Sequence, residues 1–422
     1  MSQASACPFH SLPGDGTPLK PSPQLAEWRN AGAFVPLGFQ DGHEGLIATR
    51  YSAVTSVLQD PRFSMRPSRM PLGPDSLDGE VGNDRAKDAE AVPLELPGEL
   101  DESGRASEEL LLLNVDGSQH AKLRRAIMPR FSVRQARNRE DWIRGMVAEQ
   151  IHYLKEQGPH ADLWRDYALH ISARTHCHVI GVPDDRYEEF VSLFVEASTA
   201  QQKYDFIRRL LDERRLNPGE DVITDLLNNP DLDRVEVESL LRLLMGAGRD
   251  SVAYMIATAS TALLTHSEQL TLIREQPEIM RPAIEEFMRV GAMFVTMFAR
   301  TATEDVEIDG FMIPAGTSVS VSPVAANRDP GRWSGDPESF DVTRDAFGHL
   351  GFGYGIHQCV GQQVARIEIR EAIVALLHGF PDMRLIHAEQ LTPQPFAHPV
   401  AVYEAGAVIV SLDGTLPTTY GE

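Results

Sequence analysis

Residues 351–361 read GFGYGIHQCVG and place Cys359 in a run of glycines, with His357 two residues before it. The flanking glycines are Gly351, Gly353, Gly355 and Gly361. Glycine adopts backbone conformations that other residues avoid, so the chain can bend here and come close to a flat ligand. A helical pattern begins near residue 361. Because backbone N–H groups at a helix start stabilise an anion, they favour the thiolate form of this cysteine.

A cysteine in this position has three possible roles: an inert core residue, a redox-active thiol or a metal ligand. Free cysteine is among the most buried residue types, so a core role is a real alternative. Zinc is a poor fit, because no CxxC or HxxxH pair accompanies Cys359. A thiolate on a glycine loop, beside a histidine that can meet an anion, suits a haem iron and its propionates.

Charge and cysteine content restrict the class of protein. The chain has 422 residues, of which 39 are basic and 61 acidic, giving a net charge of -22. A nucleic-acid-binding protein usually carries a basic patch, so this balance argues against that partner. The three cysteines, Cys7, Cys177 and Cys359, cannot all pair with one another, which favours a reducing compartment. With no signal peptide and no apolar run of about 18 residues, we expect a cytoplasmic protein without a membrane span.

Apolar periodicity predicts one mainly helical domain over residues 1–422 with a minor β portion. Residues 1–35 are rich in Pro, Gly and Ser and are expected to form a loosely held lead-in. Residues 45–60 predict a strand and a short helix, and residues 235–266 predict one long, buried central helix. Alternation over residues 302–324 predicts short strands. A further helix is predicted after the glycine run.

The glycine-rich stretch carries a family resemblance. Six residues match the signature F-G-x-G-x-H-x-C-x-G of cytochrome P450: Phe352, Gly353, Gly355, His357, Cys359 and Gly361. The chain resembles the soluble bacterial members of that family from about residue 45 to its end. The resemblance implies a cytochrome P450 fold, a triangular helical prism around a buried haem b. It also implies that Cys359 ligates the iron and that Phe352 lies against the cofactor.

The resemblance assigns further residues to the haem and to the fold. His120 and Arg124 match the family's H-x-x-x-R, which meets a haem propionate; the alternative is an exposed basic helix face. The other propionate contacts implied are Arg300 and His357. The residues implied to hold the fold together, without doing chemistry, are Glu286 and Arg289 of the E-x-x-R motif and Arg344.

The segment GAGRDS, residues 246–251, lies inside the long predicted helix. Glycine there costs about 1 kcal/mol relative to alanine, so two glycines need a reason. The segment resembles the A-G-x-D/E-T stretch of P450s, which implies that Ala247 and Gly248 lie over the haem. Asp250 and Ser251 would be the acid–alcohol pair that delivers protons during oxygen activation. Serine replaces the usual threonine, and Arg249 is less usual. The pair favours reductive oxygen activation over reliance on peroxide.

The substrate is not readable from a motif. The resemblance points to mostly apolar pocket candidates, each of which could equally be core: Met245, Val252, Val295, Thr296, Met297, Phe396 and Val400. They suit a bulky, weakly polar molecule. The loop at about 66–114 would also line the pocket. The segment from Pro183 to Pro218 is short for a P450 lid, so either the lid is reduced or the sequence lacks some lid residues.

The favoured hypothesis is a monomeric haem-thiolate monooxygenase that uses dioxygen and electrons from a ferredoxin and its reductase, in secondary-metabolite tailoring. One alternative is oxidative C–C or C–N coupling of an aromatic or cyclodipeptide-like substrate. Another is a non-catalytic haem-thiolate sensor, against which the acid–alcohol pair argues. The basic residues from Lys122 to Arg139 are candidates for ferredoxin docking, and a solvated helix pair is the alternative. They are Lys122, Arg124, Arg125, Arg130, Arg134, Arg137 and Arg139.

Overall fold

The structure, a computed structural model, describes residues 9–67, 111–195, 198–389 and 400–415. Helices dominate these ranges. In chain order the α-helices are α1 (Pro23–Ala31), α2 (Tyr51–Gln59), α3 (Gly117–Ile127), α4 (Val133–Asn138), α5 (Glu140–Gln157), α6 (Leu169–Ile180), α7 (Tyr187–Val195), α8 (Ala200–Leu216), α9 (Val222–Leu227), α10 (Arg234–Ala247), α11 (Arg249–Thr265), α12 (Ser267–Glu275), α13 (Met280–Val290), α14 (Pro323–Ala326) and α15 (Gln362–Gly379). A π-helical segment, Leu163–Ala168, precedes α6.

Strands form the minor part of the fold. They are β1 (Phe34–Gly38), β2 (Glu44–Ala48), β3 (Phe63–Ser64), β4 (His160–Asp162), β5 (Phe294–Ala302), β6 (Val306–Ile308), β7 (Phe311–Ile313), β8 (Ser318–Val321), β9 (Arg384–Ala388), β10 (Ala401–Val402) and β11 (Val408–Ser411). The predicted class, mainly α with a minor β portion, is confirmed.

The described chain divides into two compact units. The first comprises residues up to 93, residues 285–359 and residues 390–404, as far as they are described. Its main sheet has the order β1-β2-β8-β5-β10, and β3 also pairs with β5. The β2–β8 pairing is parallel and the others are antiparallel. A separate hairpin joins β6 to β7.

The core of the first unit lies between its main sheet and α2. Val54 and Val57, three residues apart on α2, are fully buried in one cluster with Val319 and Val321 of β8. The two pairs follow the helical and strand periods, so each element turns its apolar side toward the same core. Leu350, at the start of the glycine-rich loop, belongs to this cluster. The loop is therefore anchored to a packed core.

The second unit holds residues 94–284, 360–389 and 405–422, again as far as they are described. Its centre is α11, where small and apolar residues are buried from Val252 to Leu263. Helices α6 and α15 and the π-helical segment pack against α11. A three-stranded antiparallel sheet with the order β4-β11-β9 completes this unit.

Two sequence predictions need correction. The single helix expected over residues 235–266 is interrupted at Gly248, which separates α10 from α11. The lead-in expected to be loose is packed in part, because α1 forms after the cap at Ser22 and buries Leu25 and Trp28. The Ser22 hydroxyl accepts a hydrogen bond from the Gln24 amide, a typical helix start.

Other local predictions are confirmed. The strand and helix of residues 45–60 are β2 and α2. The short strands expected over residues 302–324 are β6, β7 and β8, and the helix after the glycine run is α15. Cys7, Phe396 and most of the 66–114 loop lie outside the described residues. In the described part of the chain, no helix combines the length and hydropathy needed to cross a membrane.

Candidate active site

The loop before Cys359 has a backbone that depends on glycine. Gly353 and Gly355 have φ angles of 69° and 73°, in the left-handed region that L side chains rarely adopt. A Cβ on Gly355 would also lie 2.4 Å from the backbone oxygen of Leu58. The Cys359 amide donates a hydrogen bond to the Phe352 carbonyl at 2.9 Å. The loop therefore folds back on itself and fixes the backbone at Cys359.

The exposure of Cys359 separates it from the other described cysteine. The Cys359 side chain is exposed, whereas Cys177 is buried on α6. Burial raises the pKa of Cys177 to about 12, which keeps that thiol protonated and unreactive at neutral pH. A core role for Cys359 is excluded. Its thiol is accessible to a ligand, as the metal-ligand hypothesis requires.

His349 supports the loop and was not found from the sequence. Its Nδ1 accepts a hydrogen bond from the Gly351 amide at 3.0 Å. The proton therefore lies on Nε2, which is 3.0 Å from Oε2 of Glu285. This chain of bonds ties the start of the loop to α13. An isolated histidine gives no periodic or motif signal, so only the tertiary contact identifies it.

Glu286, Arg289 and Arg344 form the ionic network expected of them. Arg289 Nε and Nη2 donate to the Glu286 carboxylate at 2.6 and 2.8 Å. Both side chains are fully buried, and Arg344 Nε lies 3.5 Å from Glu286 Oε1. A buried bidentate pair of this kind is costly to break, because removing one partner leaves the other charge uncompensated.

Arg289 also organises the backbone around the network. It donates hydrogen bonds to the carbonyl oxygens of Asn327, Pro337 and Ser339 at 2.7 to 2.9 Å. Asn327 in turn accepts from the Leu350 amide at 2.7 Å and donates to the Arg289 carbonyl. The network is thus linked to the residue that starts the Cys359 loop. Asn327 carried no signal in the sequence.

The basic residues expected near propionates are mostly withdrawn from solvent. In the first unit, Arg300 on β5 is buried and His357 is partly buried. In the second unit, His120 on α3 is buried and Arg124 is partly buried. An exposed basic helix face, the alternative for His120, is excluded for that residue.

The segment around Gly248 has a break where a continuous helix was expected. Helix α10 ends at Ala247 and α11 begins at Arg249. A Cβ on Gly248 would lie 2.4 Å from Nδ1 of His176, on α6. The second glycine of the segment is therefore required by a close approach of another side chain. Ala247 is exposed at this break.

Asp250 and Ser251 lie in the first turn of α11. The Asp250 carboxylate forms an ion pair with the buried guanidinium of Arg249. About half of the Asp250 side chain is exposed, so its second oxygen can reach water. The Ser251 hydroxyl donates to the Ala247 carbonyl at 3.3 Å, across the break. Both side chains can exchange protons with solvent.

The pocket candidates divide by burial. Met245, Val252, Val295 and Thr296 are buried. The Thr296 hydroxyl accepts a hydrogen bond from the Ala401 amide at 3.0 Å, a link between β5 and β10. The remaining described candidates, Met297 and Val400, are partly exposed. The lid segment contains α7 and α8, joined by residues 196–199.

The basic stretch from Lys122 to Arg139 is partly committed to ion pairs. Lys122 Nζ lies 2.7 Å from the buried Glu236, and Arg130 pairs with Asp225. Arg139 is buried and donates to backbone oxygens. The residues of this stretch that are exposed and basic are Arg125, Arg134 and Arg137. The solvated-helix alternative does not describe the whole stretch, because three of its seven cations are committed to ion pairs or backbone hydrogen bonds.

Comparison with known proteins identifies the class and then the family. The cytochrome P450 family model matches residues 162–398. Cytochrome P450 105C1 from Streptomyces sp is 32% identical over 403 residues, covering 93% of this chain and 95% of the relative. A mainly helical oxidoreductase with haem as its cofactor is the class that these matches define. The chain belongs to the cytochrome P450 family.

Two further comparisons extend over most of the chain. The vitamin D(3) 25-hydroxylase of Pseudonocardia autotrophica is 32% identical over 380 residues, covering 86% of this chain and 87% of the relative. The structure of Streptomyces peucetius CYP105P2 in complex with a biphenyl compound superposes with a TM-score of 0.80 at 27% identity. That match covers 97% of this chain and 100% of the other.

Haem fits the donors in the described residues. An accessible thiol follows a glycine loop that Gly353 allows to approach Met297, where a Cβ would lie 3.1 Å from the methionine Cε. A thiolate is an axial ligand that haem iron accepts. Withdrawn basic side chains such as Arg300 suit carboxylates of the kind that haem carries, because such charged hydrogen bonds are strong.

Proposed function

We propose that this chain is a haem-thiolate monooxygenase in which Cys359 ligates the iron and the substrate is a mostly apolar small molecule. The observation that carries the proposal is the accessible thiol of Cys359 on a backbone fixed by its hydrogen bond to Phe352. We also propose that residues 1–422 form a single domain.

When bound, the haem supplies oxygen activation, and its thiolate ligand favours O–O cleavage. Cys359 would supply this thiolate. The glycines before it have no side chains, so they leave space beside the thiol. The start of α15, shortly after Cys359 in the chain, favours the thiolate over the thiol. Phe352 contributes an aromatic ring beside the ligand. Arg300 and His357 would bind propionate oxygens, and the same role is proposed for His120 and Arg124.

Proton delivery is assigned to Asp250 and Ser251. The Ser251 hydroxyl donates its proton toward the reaction site. It then regains a proton, through water, from the Asp250 carboxyl. Arg249 holds the Asp250 side chain at the first turn of α11, and the half-exposed carboxylate takes up protons from solvent. Ala247, which is exposed at the break, leaves room beside these groups because its side chain is small. The space beside Gly248 is taken by the His176 ring.

A bulky apolar substrate fits the partly exposed candidates, Met297 and Val400. Relatives support the same chemistry, since one is named a vitamin D(3) 25-hydroxylase and another a mycinamicin IV hydroxylase/epoxidase. We assign the chain to hydroxylation or epoxidation of a secondary metabolite. Bacterial P450s use redox partners, and a ferredoxin with its reductase is the proposed electron source.

Turnover in isotopically labelled dioxygen tests the reaction. Apolar compounds would first be screened for a shift of the haem absorption spectrum on binding, with vitamin D3 as the starting probe. A monooxygenase yields a product that carries one labelled oxygen atom. A product without label that has lost two hydrogens and gained a C–C or C–N bond would overturn the proposal in favour of oxidative coupling.

A further inference from the structure

His176 lies against the break between α10 and α11. A Cβ built on Gly248 would lie 2.4 Å from His176 Nδ1 and 2.6 Å from Cε1. The edge of the imidazole therefore occupies the space that any larger residue at 248 would need. This contact accounts for a glycine that costs about 1 kcal/mol in a helix relative to alanine.

The same ring edge meets polar backbone groups of α10. The backbone of Leu244 and Met245, in the last turn of that helix, lies near the ring and acts on the pKa of His176. The last carbonyls of a helix lack amide partners of their own and need other donors. His176, whose ring edge lies against Gly248, is placed to supply such a donor from a different helix.

A second donor on α6 serves the other side of the break. The Ser172 hydroxyl donates to the carbonyl of Arg249, the first residue of α11, at 2.5 Å. Residues four apart lie on one face of a helix, so Ser172 and His176 point the same way from α6. One helix face thus contacts backbone on both sides of Gly248.

The protonation state of His176 suits this role. Burial, aided by the nearby Arg249 cation, lowers the pKa of His176 to about 4, although its backbone hydrogen bonds oppose the shift. The ring is neutral at neutral pH and has one N–H. Nε2 is buried without a hydrogen-bond partner. A buried acceptor without a partner is tolerated better than a buried N–H, so the proton belongs on Nδ1.

We propose that His176 is a positioning residue that keeps the helix open at Gly248 by donating its Nδ1–H to carbonyl groups at the end of α10. The imidazole also blocks the space into which the backbone would close to form one continuous helix. The inference deepens the proposed function and rests on it, because the break at Gly248 directly precedes Asp250 and Ser251, the residues assigned to proton delivery.

A pair of substitutions tests the steric part through thermal stability. Gly248→Ala should lower Tm in the parent protein, because the new Cβ overlaps the His176 ring. In the His176→Ala background the same change should raise Tm, because the overlap is gone and alanine favours a helix. If Gly248→Ala changed Tm by the same amount and in the same direction in the parent and in the His176→Ala variant, the proposal would be overturned.

The infrared stretching band of carbon monoxide, added as a probe to the reduced holoenzyme, tests the effect on the reaction site. His176→Phe keeps a ring and removes the donor, so the band should shift. His176→Asn places an amide N–H near the position of Nδ1 and should restore the parent band, whereas the longer His176→Gln should not. Identical bands in all four proteins, or equal shifts in the three variants, would contradict the donor role.

These outcomes are separable from those that test the proposed function. The Tm comparison depends only on the contact between His176 and Gly248, whatever ligand Cys359 binds. If the helix break behaved as described while Cys359 proved not to ligate the haem, only the proposed function would fail. If Cys359 ligated the haem and the Tm shifts were additive, only the role of His176 would fail.

Discussion

Arg249 and Asp250 form an ion pair at the first turn of α11, with the guanidinium buried and about half of the carboxylate side chain exposed. Neighbouring residues on a helix usually point in different directions, so this pairing restricts the orientation of both side chains. The pair explains how an arginine is accommodated inside the central helix of its unit. It also places the proposed proton carrier at a boundary between protein and water.

Replacing Asp250 and Ser251 by Leu and Ala should leave substrate binding within about twofold and raise the peroxide released per electron consumed. The reason is that oxygen is then reduced without a proton donor for productive cleavage. A rise of about tenfold would match part of the usual contribution of a positioned proton donor. Peroxide and product would be measured together during ferredoxin-driven turnover.

Arg249→Met is the control for this experiment, because it removes the ion pair and keeps the acid and the alcohol. It should raise peroxide release less than the double replacement does, because Asp250 is then held less well but both proton-carrying groups are still present. If the double variant produced as much product per electron as the parent, Asp250 and Ser251 would not be the proton carriers.

The Glu286–Arg289 pair should dominate the stability of the first unit. Arg289→Met removes the bidentate partner of the fully buried Glu286 carboxylate and leaves it only Arg344 Nε, at 3.5 Å. It also leaves three carbonyls without their donor. The free energy of unfolding should fall by about 3–5 kcal/mol, measured by urea denaturation of the holoenzyme. Arg215→Met is the matched control, because Arg215 pairs with Asp212 at the same spacing on an exposed helix surface.

The control should cost less than about 1 kcal/mol, as exposed ion pairs usually do. Equal losses in the two variants would show that burial of the Glu286–Arg289 pair does not set its importance.

Local sequence patterns predicted most of the helices and strands. What they did not predict depends on contacts between residues far apart in the chain. The spacing of Glu286 and Arg289 put them on one helix face, and the glycines of the 351–361 loop indicated a close approach. Because glycine destabilises a helix relative to alanine, the sequence indicated that Gly248 is required by its surroundings. Its partner, His176, could not be predicted, because the contact joins two helices far apart in sequence.

Charge patterns gave less information for a similar reason. The basic stretch after Lys122 suggested a docking surface, but a sequence does not show which cations are already paired. Arg130 is held by Asp225, on a helix almost a hundred residues later. Asn327 and His349 likewise act through tertiary hydrogen bonds that no single-sequence pattern records.

The lowered pKa of His176 predicts a pH-dependent stability. Its folded-state pKa of about 4 lies below the ordinary 6.5, so the unfolded chain binds a proton first as the pH falls. The contribution of His176 to the free energy of unfolding is fully present above pH 6.5 and is lost as the pH falls from 6.5 to about 4. The stability of the parent relative to His176→Asn should therefore decline on acidification, by at most about 1.4 kcal/mol per pH unit.

Urea denaturation of both proteins at about pH 7 and about pH 5 checks this expectation. A difference between the two proteins that stays constant across the window would mean that His176 titrates normally in the folded state.

Charge reversal should slow electron transfer from the ferredoxin. Arg125 and Arg134 are exposed, so replacing both by Glu removes steering of an acidic partner without breaking a described ion pair. Reduction by an acidic bacterial ferredoxin with its reductase should slow, and rising salt should slow the parent as well, since screening acts over about 10 Å at 0.1 M. Arg215→Glu, on α8, serves as the control.

Reduction by dithionite should be the same in all of these proteins, because it needs no docking surface. A ferredoxin-driven rate that ignored both the double reversal and the salt concentration would exclude this region as the docking site.

The absorption spectrum of the reduced carbon monoxide complex tests the central claim most directly. Cys359→Ser should abolish the long-wavelength band that gives the family its name, because the thiolate ligand is lost. Cys177→Ser, which changes the buried thiol, should keep the band at full height. If Cys359→Ser retained the band, or if Cys177→Ser alone removed it, the assignment of Cys359 as the haem ligand would be wrong.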